Sequence, residues 1–255
     1  MKPILLQLGP ISVFAYGLMV SCAFLIGTYL AQREATRQNL PAQKIIDLSL
    51  CIVISGVVGA RLLYVLQNIQ FYRVYPLRIV MLHEGGLSFF GGFFVALAAT
   101  LIFLRIQRLP AWTVLDIFVP YLALGQAIGR IGCLLNGCCF GKVTTAFGAI
   151  CFPGETICRY PIQVYNSLLL LALYIVLRYR QKRGQTFPGQ LFLLYCILYS
   201  TIRFISEFFR GDHTAVIGWL TLHQIFSLMV FTMAGVWLWK KQNNFVLRLP
   251  MKTKA

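Results

Sequence analysis

Apolar stretches, each about as long as a membrane-spanning helix, follow one another along almost the whole chain. A bilayer core of roughly 30 Å needs about 20 consecutive apolar residues in a helix. The pattern predicts seven spans, at residues 11–31, 45–68, 87–106, 112–135, 163–178, 188–208 and 216–239. Because these stretches are too long and too uniformly apolar for barrel strands, we expect an all-α polytopic membrane protein that forms a single domain over residues 1–255.

Composition and charge agree with this class. The chain is 58% hydrophobic and 12% charged, with a mean hydropathy of +0.74, which excludes an ordinary soluble domain. The net charge of +16 does not indicate nucleic-acid binding, because the basic residues flank the predicted spans. Most of them follow the first, third, fifth and seventh spans, which predicts an outer N-terminus and a cytoplasmic C-terminus. The first apolar run continues past Cys22 to Leu30, so we expect an uncleaved span and not a signal peptide or lipoprotein anchor.

Three arginines, Arg61, Arg130 and Arg203, lie inside predicted spans. A charge at the centre of a spanning helix costs about 2.5–3.5 kcal/mol on insertion scales, so each one suggests a function. Asp116 could offset one of them. The remaining positive charge favours a site for an anionic headgroup, because the planar guanidinium binds phosphate through two parallel hydrogen bonds.

Arg203, Glu207 and Arg210 are spaced i, i+4 and i+7. This spacing predicts one polar helical face on which Glu207 pairs with either arginine. Ion pairing that only fixes helix packing is the alternative interpretation of this face.

Glycines interrupt the fourth predicted span and the segment after it. Gly129 and Gly132 would let a helix or a ligand approach the backbone closely, and Gly137 and Gly141 would break the helix just after Asn136. Helix packing alone would also account for the glycines inside the span.

Two further glycine pairs, Gly85-Gly86 and Gly91-Gly92, stand at the start of the third predicted span. They predict an irregular entry to that span. Irregular backbone is tolerated at membrane depth where it lines a cavity.

Five of the eight cysteines lie close together along the chain, namely Cys133, Cys138, Cys139, Cys151 and Cys158. On the outer side of the membrane we expect one or two disulfides that fix the loop over residues 140–160. A zinc site, a redox role and reduced buried thiols are the alternatives. Spacing does not determine the pairing.

Taken in order, these segments resemble the prolipoprotein diacylglyceryl transferase family. The resemblance lies in Tyr16–Met19, Gly59–Arg61 with Tyr64, Glu84–Phe89 with Gly91-Gly92, Gly129–Gly141, Pro161 with Gln163 and Tyr165, and Arg203–Arg210. It implies transfer of the diacylglyceryl group of phosphatidylglycerol to the lipobox cysteine of a prolipoprotein signal peptide, at the outer face of a bacterial inner membrane. It implies no cofactor, metal or nucleic acid.

The resemblance also assigns the site residues. The catalytic centre would be Arg130, Arg203 and Glu207. The substrate-binding residues would be Tyr16, Arg61, Gly91, Gly92, Gly129, Asn136, Gly141, Gln163, Tyr165 and Arg210.

Some polar positions of the family are occupied differently here. Phe90 stands where the family commonly has a histidine, Cys133 and Cys138 where it has asparagine and glutamate, and Tyr160 and Asn166 where it has histidine and glutamate. A lipid-binding relative with no activity or altered specificity is therefore the alternative, and His83 is a candidate substitute base. A transporter for an anionic solute is disfavoured, because the chain shows no pair of related halves.

Overall fold

The structure is a computed structural model and describes residues 4–8, 11–81, 85–145, 149–151, 157–211 and 220–246. Its α-helices are α1 (Ala15–Arg37), α2 (Ala42–Gln67), α3 (Ile69–Val74), α4 (Phe89–Ile106), α5 (Ala111–Asn136), α6 (Ile162–Arg183), α7 (Gln190–Glu207) and α8 (Leu222–Val246). A 3-10 turn covers Pro76–Ile79. Two antiparallel strand pairs join β1 (Ile4–Leu8) to β2 (Ile11–Phe14) and β3 (Ile150–Cys151) to β4 (Cys158–Arg159).

Seven helices of the described part of the chain are long and apolar enough to cross a membrane, all except α3. This confirms the predicted polytopic membrane protein. The orientation of the termini and the single domain over 1–255 stay predictions.

Several helix ends differ from the predicted spans, and α1 and α8 also continue past their predicted ends to Arg37 and Val246. Residues 11–14 pair as a strand, so α1 begins at Ala15. Helix α6 continues past residue 178 to Arg183, because arginine and lysine are good helix formers whose long side chains reach water from a span end. The last helix begins at Leu222, and residues 216–219 of the predicted span lie outside the described residues.

The start of α8 is fixed by a reciprocal pair of capping hydrogen bonds. The main-chain N–H of Gln224 donates to Oγ1 of Thr221 at 3.3 Å, and the N–H of Thr221 donates to Oε1 of Gln224 at 2.9 Å. Two N–H groups without a helical partner are thereby satisfied.

The chain forms two compact units, residues 31–114 and residues 1–30 with 115–255. In the first unit, α2 packs against α4 through glycines. A Cβ atom at Gly91 would clash with the main-chain oxygen of Gly59, and one at Gly92 would lie 2.9 Å from the oxygen of Gly56. Gly91 and Gly92 therefore allow close helix packing. The irregular entry predicted here is confirmed at Gly85 and Gly86, which have positive φ, but it is wrong for Gly91 and Gly92, which lie within α4.

In the second unit, the core is formed by apolar side chains of α5, α6 and α7. The buried residues are Val119, Ala123, Ala127, Leu170, Leu173, Leu177, Leu191 and Tyr195. These contacts hold the middle of α5 beside α6 and α7. Together the three helices carry seven of the thirteen predicted site residues.

Asp116 fixes the N-terminus of α7 in this unit. Its fully buried carboxylate accepts hydrogen bonds from the main-chain N–H groups of Gly189 at 2.6 Å and Phe192 at 2.8 Å. A carboxylate satisfies the unpaired N–H groups of a helix start and stabilises its positive end. The α7 N-terminus, and not an intramembrane arginine, is thus its partner.

Candidate functional site

An ion pair lies at the C-terminal end of α7. Nη2 of Arg203 is 3.3 Å from Oε2 of Glu207, whose side chain is fully buried. The other carboxylate oxygen, Oε1, accepts a hydrogen bond from Oγ1 of Thr221 at 3.2 Å and lies 3.5 Å from Nδ1 of His223. The predicted pairing of Glu207 with an arginine is confirmed for Arg203.

The second terminal nitrogen of this guanidinium, Nη1 of Arg203, is buried and has no hydrogen-bond acceptor among the residues that the structure describes. The side chain is only 16% exposed. Leaving a buried donor unsatisfied costs about 1–3 kcal/mol, and more for a charged group. An anionic ligand would remove this cost.

Arg203 also lines a small cleft, together with other side chains of α5, α6 and α7. The lining residues are Arg130, Asn166, Leu170, Tyr199, Ile202, Arg203 and Ser206. Its volume of about 10 Å³ is room for roughly one water molecule, so a lipid headgroup enters only if side chains move. Oγ of Ser206 donates a hydrogen bond to Oδ1 of Asn166 within this cleft.

Two glycines near Arg130 differ in what surrounds them. A Cβ atom at Gly132 would lie 3.1 Å from Cβ of Met19 and 3.3 Å from Cδ2 of Tyr16, so this glycine permits close packing of α1 on α5. At Gly129, no described atom outside its own helix would lie within 4 Å of such a Cβ. Gly129 therefore leaves open space next to Arg130.

Helix α5 ends in a Schellman motif. The N–H of Cys138 donates to the carbonyl of Cys133 at 3.1 Å, the N–H of Gly137 donates to the carbonyl of Leu134 at 3.2 Å, and Gly137 has a φ of 73°. Glycine adopts this left-handed conformation without the penalty that a Cβ atom brings. The predicted helix break after Asn136 is confirmed, and Asn136 itself is exposed.

The loop after α5 is held at both ends. Nε2 of Gln163, which is 1% exposed, donates to the carbonyl of Cys138 at 2.7 Å. The N–H of Gly141 donates to the carbonyl of Tyr160 at 3.1 Å, and Gly141 also forms a bridge with Arg210. A Cβ atom at Gly141 would lie 2.6 Å from the oxygen of Tyr160, so a larger residue would displace the loop.

Arg210 does not share a helical face with Arg203. Helix α7 ends at Glu207, and Arg210 lies beyond it in the bridge with Gly141. The prediction of an i, i+7 pair on one helix is therefore wrong. Arg210 still lies close enough to interact electrostatically with Arg203 and Cys139.

The cysteines separate into two groups. Cys151 and Cys158 form a disulfide, which confirms at least one of the predicted bridges. Cys133, Cys138 and Cys139 are free thiols whose Sγ atoms all lie within 4.8 Å of one another. A hydrogen bond from Cys133 lowers the pKa of Cys139, whereas burial raises the pKa of Cys138.

The other predicted site residues are placed as follows. Tyr16 lies in the first turn of α1, is about half exposed and interacts electrostatically with Arg130 and the three free thiols. Tyr165 is exposed on α6. Arg61, Gly91 and Gly92 belong to the unit of residues 31–114. His83, the candidate substitute base, lies outside the described residues.

Sequence reasoning assigned no role to several residues of the site, namely Asn166, Tyr199, Ser206, Thr221 and His223, although Asn166 was noted as a departure from the family. Helical spacing could have found two of them, since Asn166 follows Gln163 and Ser206 follows Arg203 by three residues. Thr221 was detectable as the start of the Thr-x-x-Gln capping sequence.

Comparison with known proteins gives one consistent result. The sequence model of the family described as prolipoprotein diacylglyceryl transferase matches residues 3–240. Three similar proteins are called phosphatidylglycerol–prolipoprotein diacylglyceryl transferase. The protein of Thermosynechococcus vestitus is 35% identical over 91% of this chain and 89% of its own. That of Lactiplantibacillus plantarum is 31% identical over 96% and 91%, and that of Bacillus velezensis is 31% identical over 91% and 89%. This chain therefore belongs to the prolipoprotein diacylglyceryl transferase family.

Proposed function

We propose that this protein transfers the diacylglyceryl group of phosphatidylglycerol to the lipobox cysteine of a prolipoprotein signal peptide. Similar proteins over nine tenths of the chain carry the name of this activity. Two observations carry the proposal to particular residues: Nη1 of Arg203 is buried without an acceptor among the described residues, and the side chains of Arg203 and Arg130 line one cleft.

The ion pair with Glu207 prepares Arg203 for an anion. Oε2 of Glu207 lies 3.3 Å from Nη2, and Nη1 has no acceptor among the described residues. A phosphate oxygen at Nη1 would supply the missing acceptor, and Arg130 lines the same cleft. Arginine suits this role because it stays charged and binds phosphate with a fixed geometry.

The reaction places new charge where these arginines lie. The acceptor thiol loses its proton to water, its sulfur attacks the glyceryl carbon, a C–S bond forms, and the C–O bond to the phosphate breaks. The electron pair of that bond stays on the phosphate oxygen, so glycerol 1-phosphate leaves with an additional negative charge. Preorganised positive groups at that oxygen stabilise the transition state. Glu207 acts as a positioning residue for Arg203.

Other residues would shape the space for the lipid and the peptide. Gly129 leaves room next to Arg130, and Gln163 and Gly141 fix the loop that follows α5. Tyr16, Asn136, Tyr165 and Arg210 remain proposed substrate contacts.

The outer face of the bacterial inner membrane is the proposed location of this site. Tyr16 and Gln163 lie in the first turns of α1 and α6, and Arg130 and Arg203 lie near the ends of α5 and α7. In a chain that crosses the membrane at each of seven helices with its N-terminus outside, all four positions fall on the outer side. The Cys151–Cys158 disulfide suits an oxidising compartment on that side.

The test is an assay of purified protein with phosphatidylglycerol vesicles and a lipobox peptide that measures release of glycerol phosphate. We expect release by the wild type and its loss in Arg130→Ala and Arg203→Ala. Arg183→Ala is the matched control, because this arginine lines a separate cavity at the opposite ends of α6 and α7. It should leave release unchanged.

Two results would contradict the proposal. Folded protein that binds phosphatidylglycerol but releases no glycerol phosphate would be a lipid-binding relative without activity. Release that survives both substitutions in the cleft would place the reaction at other residues.

A further inference from the structure

Three thiols lie together next to the proposed phosphate site and have no role in it. The Sγ atoms of Cys133, Cys138 and Cys139 are all within 4.8 Å of one another. A tetrahedral zinc ion with Zn–S bonds of about 2.3 Å holds its sulfur ligands roughly 3.8 Å apart. Shifts of about 1 Å or less would bring the three sulfur atoms to that spacing.

The backbone holds these thiols in place. The Schellman motif at Gly137 fixes Cys138 relative to Cys133, and Gln163 binds the carbonyl of Cys138 at 2.7 Å. Cys139 has a φ of 63°, a left-handed conformation that is uncommon for a residue with a Cβ atom. A side-chain hydrogen bond joins Asn136 to Cys138. Ligands oriented by a shell of hydrogen bonds are typical of metal sites.

The surroundings favour a metal ion over three isolated thiols. A neighbouring disulfide, Cys151–Cys158, suits an oxidising compartment, where close thiols are easily oxidised. Three thiolates with one divalent ion carry a net charge of minus one, and a fourth thiolate makes it minus two. Arg130 and Arg210 interact electrostatically with Cys139 and supply compensating positive charge.

We propose that Cys133, Cys138 and Cys139 bind one zinc ion that keeps a fourth coordination position open for the acceptor cysteine of the substrate. Soft thiolate ligands without histidine or carboxylate favour zinc or Cu(I), and three protein ligands with one open position are typical of catalytic zinc. Metal binding by the three thiols is independent of the proposed function, whereas the role of the open position rests on it.

Coordination would activate the acceptor. A thiol that binds zinc loses its proton, here to water, and the bound thiolate then attacks the glyceryl carbon. The C–S bond forms as the C–O bond to phosphate breaks, and the electron pair leaves with glycerol 1-phosphate at Arg130 and Arg203. The thioether product carries no negative charge, binds zinc weakly and is released.

Metal binding is tested first, without any substrate. Purified full-length protein is titrated with Cd²⁺, whose thiolate complexes absorb in the ultraviolet, and its zinc content is measured as isolated. We expect one ion per chain in the wild type and in the control Cys22→Ser/Cys51→Ser/Cys196→Ser, which removes the other described free thiols. The variant Cys133→Ser/Cys138→Ser/Cys139→Ser should bind none.

A single substitution guards against failure of the triple variant to fold. Cys139 lies in the turn outside α5, and Cys139→Ser should weaken Cd²⁺ binding by at least about 100-fold, the upper end of what loss of an outer-shell partner causes. Binding that persists unchanged in Cys139→Ser, or a disulfide among the three cysteines in the untreated protein, would overturn the metal site.

Activity is measured second. Chelator-treated wild type should still bind phosphatidylglycerol but lose glycerol phosphate release, and Zn²⁺ should restore it. Release that is indifferent to chelator would overturn the role of the ion while the transferase function stands. Zinc-loaded protein that binds lipid but never releases glycerol phosphate would overturn the transferase function and the open position with it, while the three-thiol metal site stands.

Discussion

Arg61 and Arg203 give the same signal in the sequence and have opposite environments in the structure. Each is a mostly buried arginine in an apolar spanning helix. All five N–H groups of Arg61 donate to main-chain carbonyls, those of Arg78, Ile79, Met81, Gly85 and Gly86. Arg203 has a carboxylate at Nη2 and no described acceptor at Nη1. A charge within a span thus indicates a ligand site only where the protein leaves part of it unsatisfied.

This comparison changes how Arg61 is interpreted. Its guanidinium also lies over the ring of Tyr72, 5.4 Å from the centroid, and its hydrogen bonds connect α2 to residues 78–81 and 85–86. Binding of a headgroup by Arg61 stays a prediction. Its contacts favour a structural role, because a phosphate would have to displace carbonyl acceptors that are already in place.

The largest expected effect is that of Arg203→Lys. Lysine keeps the charge but loses the fork that binds Glu207 and phosphate together. We expect kcat for glycerol phosphate release to fall by about 10²–10³-fold, the usual cost of removing one preorganised donor. The melting temperature in detergent should be unchanged. Arg183→Lys is the control, and a loss of less than tenfold in Arg203→Lys would mean that charge alone is sufficient.

The same substitution at Arg61 should affect the fold and not the chemistry. Lysine has three donors, so Arg61→Lys leaves at least two of these five carbonyls without their donor. The bonds are part-buried and charge-assisted, so we expect each lost one to cost about 1–2 kcal/mol. We expect the free energy of unfolding to fall by about 2–4 kcal/mol, measured by denaturation in detergent.

Activity per folded molecule distinguishes the two interpretations of Arg61. It should equal that of the wild type after correction for the folded fraction. A fully folded Arg61→Lys protein without activity would show that Arg61 contacts the substrate, as is proposed for Arg203.

Asp116 is a buried acid whose hydrogen bonds are supplied by the protein, as are those of Arg61, so we expect its substitution to affect stability and not activity. Asp116→Asn removes the negative charge at the α7 N-terminus and leaves one oxygen to accept from Gly189 or Phe192. We expect a loss of about 1–2 kcal/mol in unfolding free energy, since charge-assisted hydrogen bonds contribute more than neutral ones. Release per folded molecule should not change, and a loss of activity without a loss of stability would contradict this structural assignment.

The sequence predicted most of the fold for a physical reason. Backbone groups in lipid must be satisfied within a helix, so length and hydropathy together specify the spans. The strand before α1 was missed because pairing of Ile4–Leu8 with Ile11–Phe14 depends on neighbours in space, not on periodicity. The end of α7 before Arg210 depends likewise on the bridge to Gly141.

The site was predictable where it depends on helical spacing. Arg203 and Glu207 are four residues apart on one helix, and their pair follows from that alone. The role of Arg61 was not predictable, because its acceptors are main-chain carbonyls within residues 78–81 and 85–86, whose placement no hydropathy pattern encodes. The grouping of Cys133 with Cys138 and Cys139 depends in the same way on the turn that Gly137 allows.

The smallest expected effect is that of Gly129→Ala. It is compared with Gly91→Ala, the same substitution at a glycine of the other unit. Gly91→Ala would force a Cβ atom against Gly59 and Leu63, so we expect a loss of about 1–3 kcal/mol in stability. Gly129→Ala meets open space, so the better helix former should add up to about 1 kcal/mol. If that space receives the headgroup beside Arg130, kcat/KM should nevertheless fall several-fold while stability rises. A stabilised Gly129→Ala protein with unchanged kcat/KM would show that the lipid headgroup does not occupy the space next to Gly129.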